Sequence, residues 1–195
     1  MKITLIGPVY PYRGGIALFT SSLARELEGQ GHQVQLLSYN RQYPSWLYPG
    51  KSDKDPVQKN VDPRVQFLFS PLNPIDWLKT LRAIKKNNPD LIVVQWWTLF
   101  WTPAYHWLFK RLRKQNQRLV VIVHNTVPHE KKAFDEFFAR AVLQQANEFI
   151  CMNPNDAKKL QQLIKCEASQ IKIVPHPVYQ PFEPTGMTKE ELRAL

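Results

Sequence analysis

The sequence predicts a doubly wound α/β domain, a mostly parallel sheet with helices on both faces. Three observations predict it. Seven short, nearly continuous apolar segments recur along the chain, and stretches of helical period fall between most of them. Strands without polar alternation are strands buried on both faces, as in a parallel sheet under helical cover. The first strand–loop–helix–strand unit takes fewer than about 40 residues, the size of one βαβ crossover. Right-handed crossovers then wind such a chain to both sides of its first strand.

The elements follow in order. Residues 2–7 (KITLIG) are dense in apolar and β-branched side chains and read as the first strand. The loop 8–15 leads into a helix over 16–28, where Ile16, Phe19, Leu23 and Leu27 share a face; Gly29 and Gly31 stop it. Residues 33–38 (QVQLLS) give the second strand. Residues 39–64 are long, polar and Pro-containing, with Tyr43, Trp46 and Tyr48 among them. A connection of that length inside a compact domain is usually functional or mobile. A short strand spans 65–69, and Asn73-Pro74 is a cap followed by proline at the first helical position, opening a helix to about residue 87. Strand 91–95 (LIVVQ) comes next, and Thr102-Pro103 repeats the cap-plus-proline signal before a helix to about residue 115. Residues 119–123 (LVVIV) form the most apolar strand, 131–145 an amphipathic helix, and 148–152 a strand. Asn153-Pro154 opens a helix ending near Lys165, and 171–174 is the last strand.

A Pro-rich stretch, 175–184, precedes Thr188 and Glu191, a capping-box start for a helix with only a few residues before Leu195. A helix that short is marginal alone. The sequence therefore predicts a domain over 1–180 and, over 181–195, the start of a linker to an absent C-terminal domain.

With 195 residues, 44% hydrophobic and 22% charged, the chain can bury a sizeable core and is not compositionally disordered. Lys and Arg number 26 against 16 Asp and Glu, a formal charge of +10. Such a surface attracts nucleic acid, anionic lipid headgroups or phosphorylated small molecules. Cys151 and Cys166 are too few for a disulfide framework and fit buried thiols in a reducing, cytoplasmic compartment. No stretch approaches the roughly 20 apolar residues of a membrane span, so any membrane contact would be peripheral, on the inner face. The basic residues are spread over several helices without a helix-turn-helix, RNP or zinc pattern, which argues against nucleic acid as partner.

Ligands of open α/β sheets bind beyond the carboxyl ends of the strands. At the first such end, Gly14-Gly15 precede a helix start, where a ligand can approach the backbone and the N-terminal N–H groups favour a phosphate. Arg13 adds a charge. Tyr10, Pro11 and Tyr12 stand where a GxGxxG fingerprint needs small residues, so a dehydrogenase-type dinucleotide site is disfavoured. The alternative is a Gly-Gly turn serving chain geometry alone. After strand 119–123 come His124, Asn125 and Thr126; a His there can hydrogen-bond a sugar hydroxyl, or simply satisfy a neighbouring carbonyl. At the end of strand 91–95 stands Gln95-Trp96-Trp97, whose aromatic faces suit sugar rings or core packing. Asn153 is explained by capping, and His176-Pro177 reads as a linker turn. His129-Glu130 lacks any metal-ligand spacing, and no metal is expected. The segment 105–118 interleaves Trp107, Leu108, Phe109 and Leu112 with Lys110, Arg111, Arg113, Lys114 and Arg118. It could lie on an anionic membrane surface, but a crossover helix must bury one face anyway, and the packed reading is preferred.

Taken together, Pro11, Gly14 and Gly15 after the first strand, Val121-Ile122-Val123-His124, and Ile171-Lys172-Ile173-Val174-Pro175 resemble the N-terminal domain of glycosyltransferase family 4, retaining enzymes of the GT-B fold. The tail from Lys189 to Arg193 resembles the linker to that family's second domain. Asn125 stands where an Asp is common, and His176-Pro177 where Asn-Gly is usual. The resemblance implies one Rossmann-like, acceptor-side half of a two-domain enzyme that uses a nucleotide-diphosphate sugar as co-substrate and no other cofactor. It implies that Gly14 and Gly15 touch the donor diphosphate and that Tyr10 and Arg13 sit beside a glycan or lipid-linked acceptor. Trp96, Asn125 and Thr126 are further acceptor candidates. His124 is the catalytic candidate, contacting the transferred sugar or the acceptor hydroxyl. The half alone is expected to be inactive. The alternative is a non-catalytic acceptor-binding or membrane-docking subunit that pairs with a separate donor-binding chain.

Overall fold

The computed structural model describes residues 1–42, 53–55, 61–126 and 133–177. The aromatic cluster at 43–48, His129-Glu130, the first residues of the helix expected from 131, and the capping-box tail lie outside these residues.

Among the described residues, seven strands are all parallel, in the order β3-β2-β1-β4-β5-β6-β7. They are β1 (Lys2–Ile6), β2 (Gln33–Tyr39), β3 (Gln66–Phe69), β4 (Leu91–Trp96), β5 (Leu119–Val123), β6 (Glu148–Cys151) and β7 (Ile171–Ile173). The helices are α1 (Gly15–Gly29), α2 (Pro74–Asn87), α3 (Thr102–Lys114), α4 (Ala133–Leu143) and α5 (Pro154–Ile164). The chain moves outward from β1 to β2 and β3, then returns through α2 to β4 on the other side. The strand order thus reverses between β1 and β4, where an α/β sheet opens a crevice at its carboxyl rim.

Side chains alternate across the sheet. Ile3, Leu5, Leu36, Val93, Val120 and Ile122 face α1, packing with its Phe19 and Ala24. Ile6, Ile92, Val94, Trp96, Val121 and Val123 face the other way, into a larger core with α2, α3, α4 and α5. Right-handed crossovers account for this division, because α1 moves opposite to the other four helices. One face thus carries a single described helix and the other carries four.

Two cap expectations hold as side-chain hydrogen bonds. Asn73 accepts from the Ile75 N–H at 3.1 Å and Asn153 from the Asp156 N–H at 2.9 Å. The third does not. A 3-10 turn, Leu99–Trp101, precedes α3, and Thr98 caps that turn. Thr102 is instead the first residue of α3, and its hydroxyl donates back to the Leu99 carbonyl at 2.6 Å. Along α3, Tyr105, Leu108, Phe109 and Leu112 are wholly buried, so the apolar side of the basic segment packs on the sheet.

Candidate functional site

The rim at β1, β4 and β5 is built from the loop after β1. Its conformation is fixed from beneath: Tyr12 is 3% exposed, and its hydroxyl donates to the Tyr39 carbonyl at 2.7 Å. Burial, reinforced by Asp53, pushes the Tyr12 hydroxyl pKa far up, so the phenol stays protonated to donate. Residues 53–55 hold the loop laterally. The Arg13 N–H donates to the Asp53 carbonyl at 3.0 Å, the Asp55 N–H donates to the Pro11 carbonyl at 2.8 Å, and the Lys54 ammonium lies 5.1 Å from the Tyr12 ring centre. Tyr10 is left half-buried and Arg13 exposed.

Gly14 is the residue before α1, with φ of 108°, in the region where only glycine is unstrained. It gives α1 no side-chain cap, and the first turn of α1 holds no acidic residue. A Cβ added at Gly14 or Gly15 would meet nothing within 4 Å. The dipole of a 15-residue helix is therefore presented at a point that a ligand can approach closely. Tyr10, Arg13, Gly14 and Gly15 line a cavity of about 610 Å³ that also reaches Asp62 and Arg64.

His124 does not line that cavity. It stands beside α1, its ring edge-on to Phe19 with centroids 5.3 Å apart. Its backbone N–H donates to the Trp96 carbonyl at 2.9 Å, continuing the β4–β5 ladder past the strand end. Its Nε2 lies 2.7 Å from Gln95 Oε1. A carbonyl oxygen can only accept, so Nε2 carries the proton and Nδ1 is left as the acceptor. Burial, followed by the charge of His176, lowers the His124 pKa from 6.5 to about 4, so the ring is neutral near pH 7.

Gln95 stands at a strand end that the sequence singles out, but the sequence gives its side chain no role. It is fully buried on the α1 face of β4, and its Nε2 has no partner among the described residues. A Cβ at Gly7 would sit 2.5 Å from Gln95 Cγ and 3.0 Å from Thr20 Oγ1. Gly7 thus clears the space through which Gln95 crosses from β4 towards both β1 and His124. A glutamine ending an otherwise apolar strand (LIVVQ) was the available signal. The sequence likewise gives the His176 side chain no role. Expected in a linker turn, its ring lies 5.9 Å from Phe19, on the same side as His124.

The other candidates divide. Asn125 is exposed beside His124. Thr126 is 2% exposed, its hydroxyl donating to the Asp156 carbonyl at 3.3 Å, so it ties the rim to α5. Trp96 corrects the expectation that its ring faces an acceptor. β4 runs one residue further than its apolar run suggests, and strand alternation then turns Trp96 into the core, 1% exposed against Tyr105. Among the described residues, no group of three or more His, Cys, Asp or Glu side chains is arranged to hold a metal ion.

The sequence profile of Glycosyltransferase Family 4 matches residues 13–179, most of the chain. The protein belongs to this family. The matched stretch contains every candidate site residue except Tyr10. A comparison with curated proteins finds no match. Among solved structures, this family 4 domain is similar to a UDP-GlcNAc 2-epimerase from Methanocaldococcus jannaschii in complex with UDP-GlcNAc and UDP. The TM-score is 0.57 at 14% identity, over 89% of this chain and 46% of the other. A Neisseria meningitidis UDP-GlcNAc 2-epimerase bound to UDP-GlcNAc gives 0.57 at 13%, over 89% and 46%. An alpha-glucosyltransferase in complex with UDP and DNA gives 0.52 at 13%, over 90% and 41%. At such identities the likeness is one of fold. The chain spans less than half the length of these structures.

Proposed function

We propose that this family 4 domain is the acceptor-side half of a retaining glycosyltransferase. The whole enzyme would move a hexose-type sugar from a nucleotide diphosphate to a hydroxyl of a glycan or lipid-linked acceptor. One observation carries the reading: α1 begins without a side-chain cap on the same rim, and the same sheet face, as a half-buried, neutral His124. In this reading the N-terminus of α1, at Gly14 and Gly15, faces the donor diphosphate, and its dipole opposes the charge that grows on the leaving group. Arg13 adds an exposed cation beside it, and no metal ion takes part. His124 uses Nδ1 to accept a hydrogen bond from a hydroxyl of the transferred sugar or of the acceptor, and Gln95 fixes that tautomer. Tyr10 and Asn125 flank the acceptor.

The neighbours solved with UDP or UDP-GlcNAc support a nucleotide-sugar ligand. The span of under half their length supports a second, donor-binding domain as the missing partner. No described helix is long and apolar enough to cross a membrane, which is compatible with a cytoplasmic enzyme working at a surface. The test compares nucleotide diphosphate release from a panel of nucleotide sugars by the 195-residue chain alone and after a donor-binding domain is joined to it. Turnover is expected only in the joined protein. Efficient transfer by the chain alone would overturn the half-site reading.

A further inference from the structure

Helix α4 is apolar on two sides. Ala139, Val142 and Leu143 are wholly buried in the core shared with α3. Phe134, Phe137 and Phe138 are 71%, 66% and 44% exposed. Their spacing of three and four residues makes them one stripe. The Phe137 and Phe138 rings meet edge-on at 5.7 Å. A helix with two apolar sides calls for cover on both of them. Helix α2 repeats the pattern, with Leu72 just before it and Ile75 in its first turn 59% and 63% exposed. Both helices begin at the carboxyl rim of the sheet, so both apolar patches lie at that edge of the four-helix face.

The surroundings indicate the chemistry of the cover. Helices α2 to α5 carry eleven Lys and Arg residues against four Asp and Glu, and one of those four, Asp76, is buried. Helix α1, on the opposite face, carries one Arg against two Glu. On α3, which packs between α2 and α4, Lys110, Arg113 and Lys114 in the last turns face outward. The positive charge is thus concentrated on the face that bears the exposed rings. Although α4 itself carries Asp135 and Glu136 against Arg140, aromatic side chains on a face of net positive charge suit the interface of an anionic bilayer: the rings enter the boundary between headgroups and acyl chains, and the cations of the neighbouring helices meet lipid phosphates. Nucleic acid would satisfy the charge, but single-strand binders hold aromatic platforms within a cationic groove, whereas these rings stand on a convex helix exterior.

We propose that the α2–α5 face docks on an anionic lipid bilayer, with Phe134, Phe137 and Phe138 inserted and the outward cations of α3 against the headgroups. The surface lies outside the Gly14–His124 site and does not depend on the sugar-transfer reading. Where both hold, docking brings the acceptor side of the rim to a lipid-linked acceptor.

Co-sedimentation of the full chain with vesicles of phosphatidylcholine mixed with phosphatidylglycerol, and with pure phosphatidylcholine, tests it. Binding to the mixed vesicles and little to the neutral ones is expected. The combined variant Phe134→Ser, Phe137→Ser, Phe138→Ser should weaken partitioning at least about a hundredfold. Lys110→Glu, Arg113→Glu and Lys114→Glu together should weaken it about a hundredfold as well, each cation near the surface being worth about fivefold. Circular dichroism melts establish that the variants fold. If the triple serine chain does not, Phe137→Ser alone should still lose about tenfold. Unchanged vesicle binding in the folded variants overturns the proposal. So does tighter binding to a DNA duplex than to anionic vesicles, or a dimer in sedimentation velocity that depends on the three phenylalanines. Failure of sugar transfer would leave the vesicle result untouched, and vesicle binding leaves the transfer assay undecided.

Discussion

Helices α1 and α5 start on the same rim, but they start differently. Asn153 closes the N-terminus of α5 by accepting from the Asp156 N–H, Pro154 removes one donor, and Asp156 adds a negative charge in the first turn. The N-terminus of α1 has glycine in place of a cap and no first-turn acid. Helix α2 follows the α5 pattern, with Asn73, Pro74 and Asp76. Each of these features contributes up to about 1 kcal/mol to an isolated helix end. The sequence supplies them at α2 and α5 and omits them at α1, beside His124. Helix α1 thus leaves out the capping side chain and the first-turn carboxylate at the end where a ligand can supply negative charge.

The sharpest way to break the comparison is to give α1 what α5 has. Gly15→Asp puts a carboxylate where a Cβ meets nothing within 4 Å, so the fold should be kept. It should lower kcat/KM of the active, two-domain enzyme at least about a hundredfold by occupying the anion position. Steady-state kinetics with a thermal melt check it; full activity in a stable variant would reduce Gly14-Gly15 to a turn. Next in size is Gln95→Leu, which leaves the His124 Nε2–H without its acceptor. We expect a loss of about 1–3 kcal/mol by denaturant titration and a change of the His124 tautomer in imidazole nitrogen spectra. An unchanged tautomer would sever the proposed link between β4 and the site.

The His124 ring itself predicts a pH dependence. The folded ring takes a proton only near pH 4 and an ordinary imidazole near 6.5, so the unfolded chain binds more protons between these values. The stability contributed by this group is complete above pH 6.5 and declines as the pH falls towards 4. The melting temperature should drop through that window in the native chain, and less steeply in His124→Gln. Equal slopes would mean that other groups dominate. The smallest effect belongs to α5: Asn153→Ala should cost about 1 kcal/mol, a fall of roughly 2–4 °C in Tm, with transfer activity unchanged. A large loss of activity there would show that α5 is part of the site rather than its contrast.

Much of the fold is legible in the sequence because it is written in local chemistry. The apolar runs of β1, β4 and β5, the Asn-Pro starts of α2 and α5, and the amphipathic period of α1 each depend on residues within a few positions of one another. The candidate site is only partly so. Gly14-Gly15 announces itself by position before a helix, and His124 by position after a strand. Gln95, Gly7 and His176 do not, since each matters through a neighbour far away in the chain. The run LIVVQWW carries no alternation to tell inside from outside, and this is why the sequence points to Trp96 at the rim and gives Gln95 no role.

Strands, helices, their parallel arrangement and the family to which the chain belongs follow from local chemistry along the chain, because hydrophobic period and turn chemistry act over a few residues. Which side of β4 faces α1, the reach of Gln95 to His124, and the gathering of positive charge with exposed phenylalanines on one face emerge only when the chain packs. Those outcomes depend on strand register and on the handedness of crossovers. Both are set when distant segments pack against one another, and no short stretch of residues encodes them.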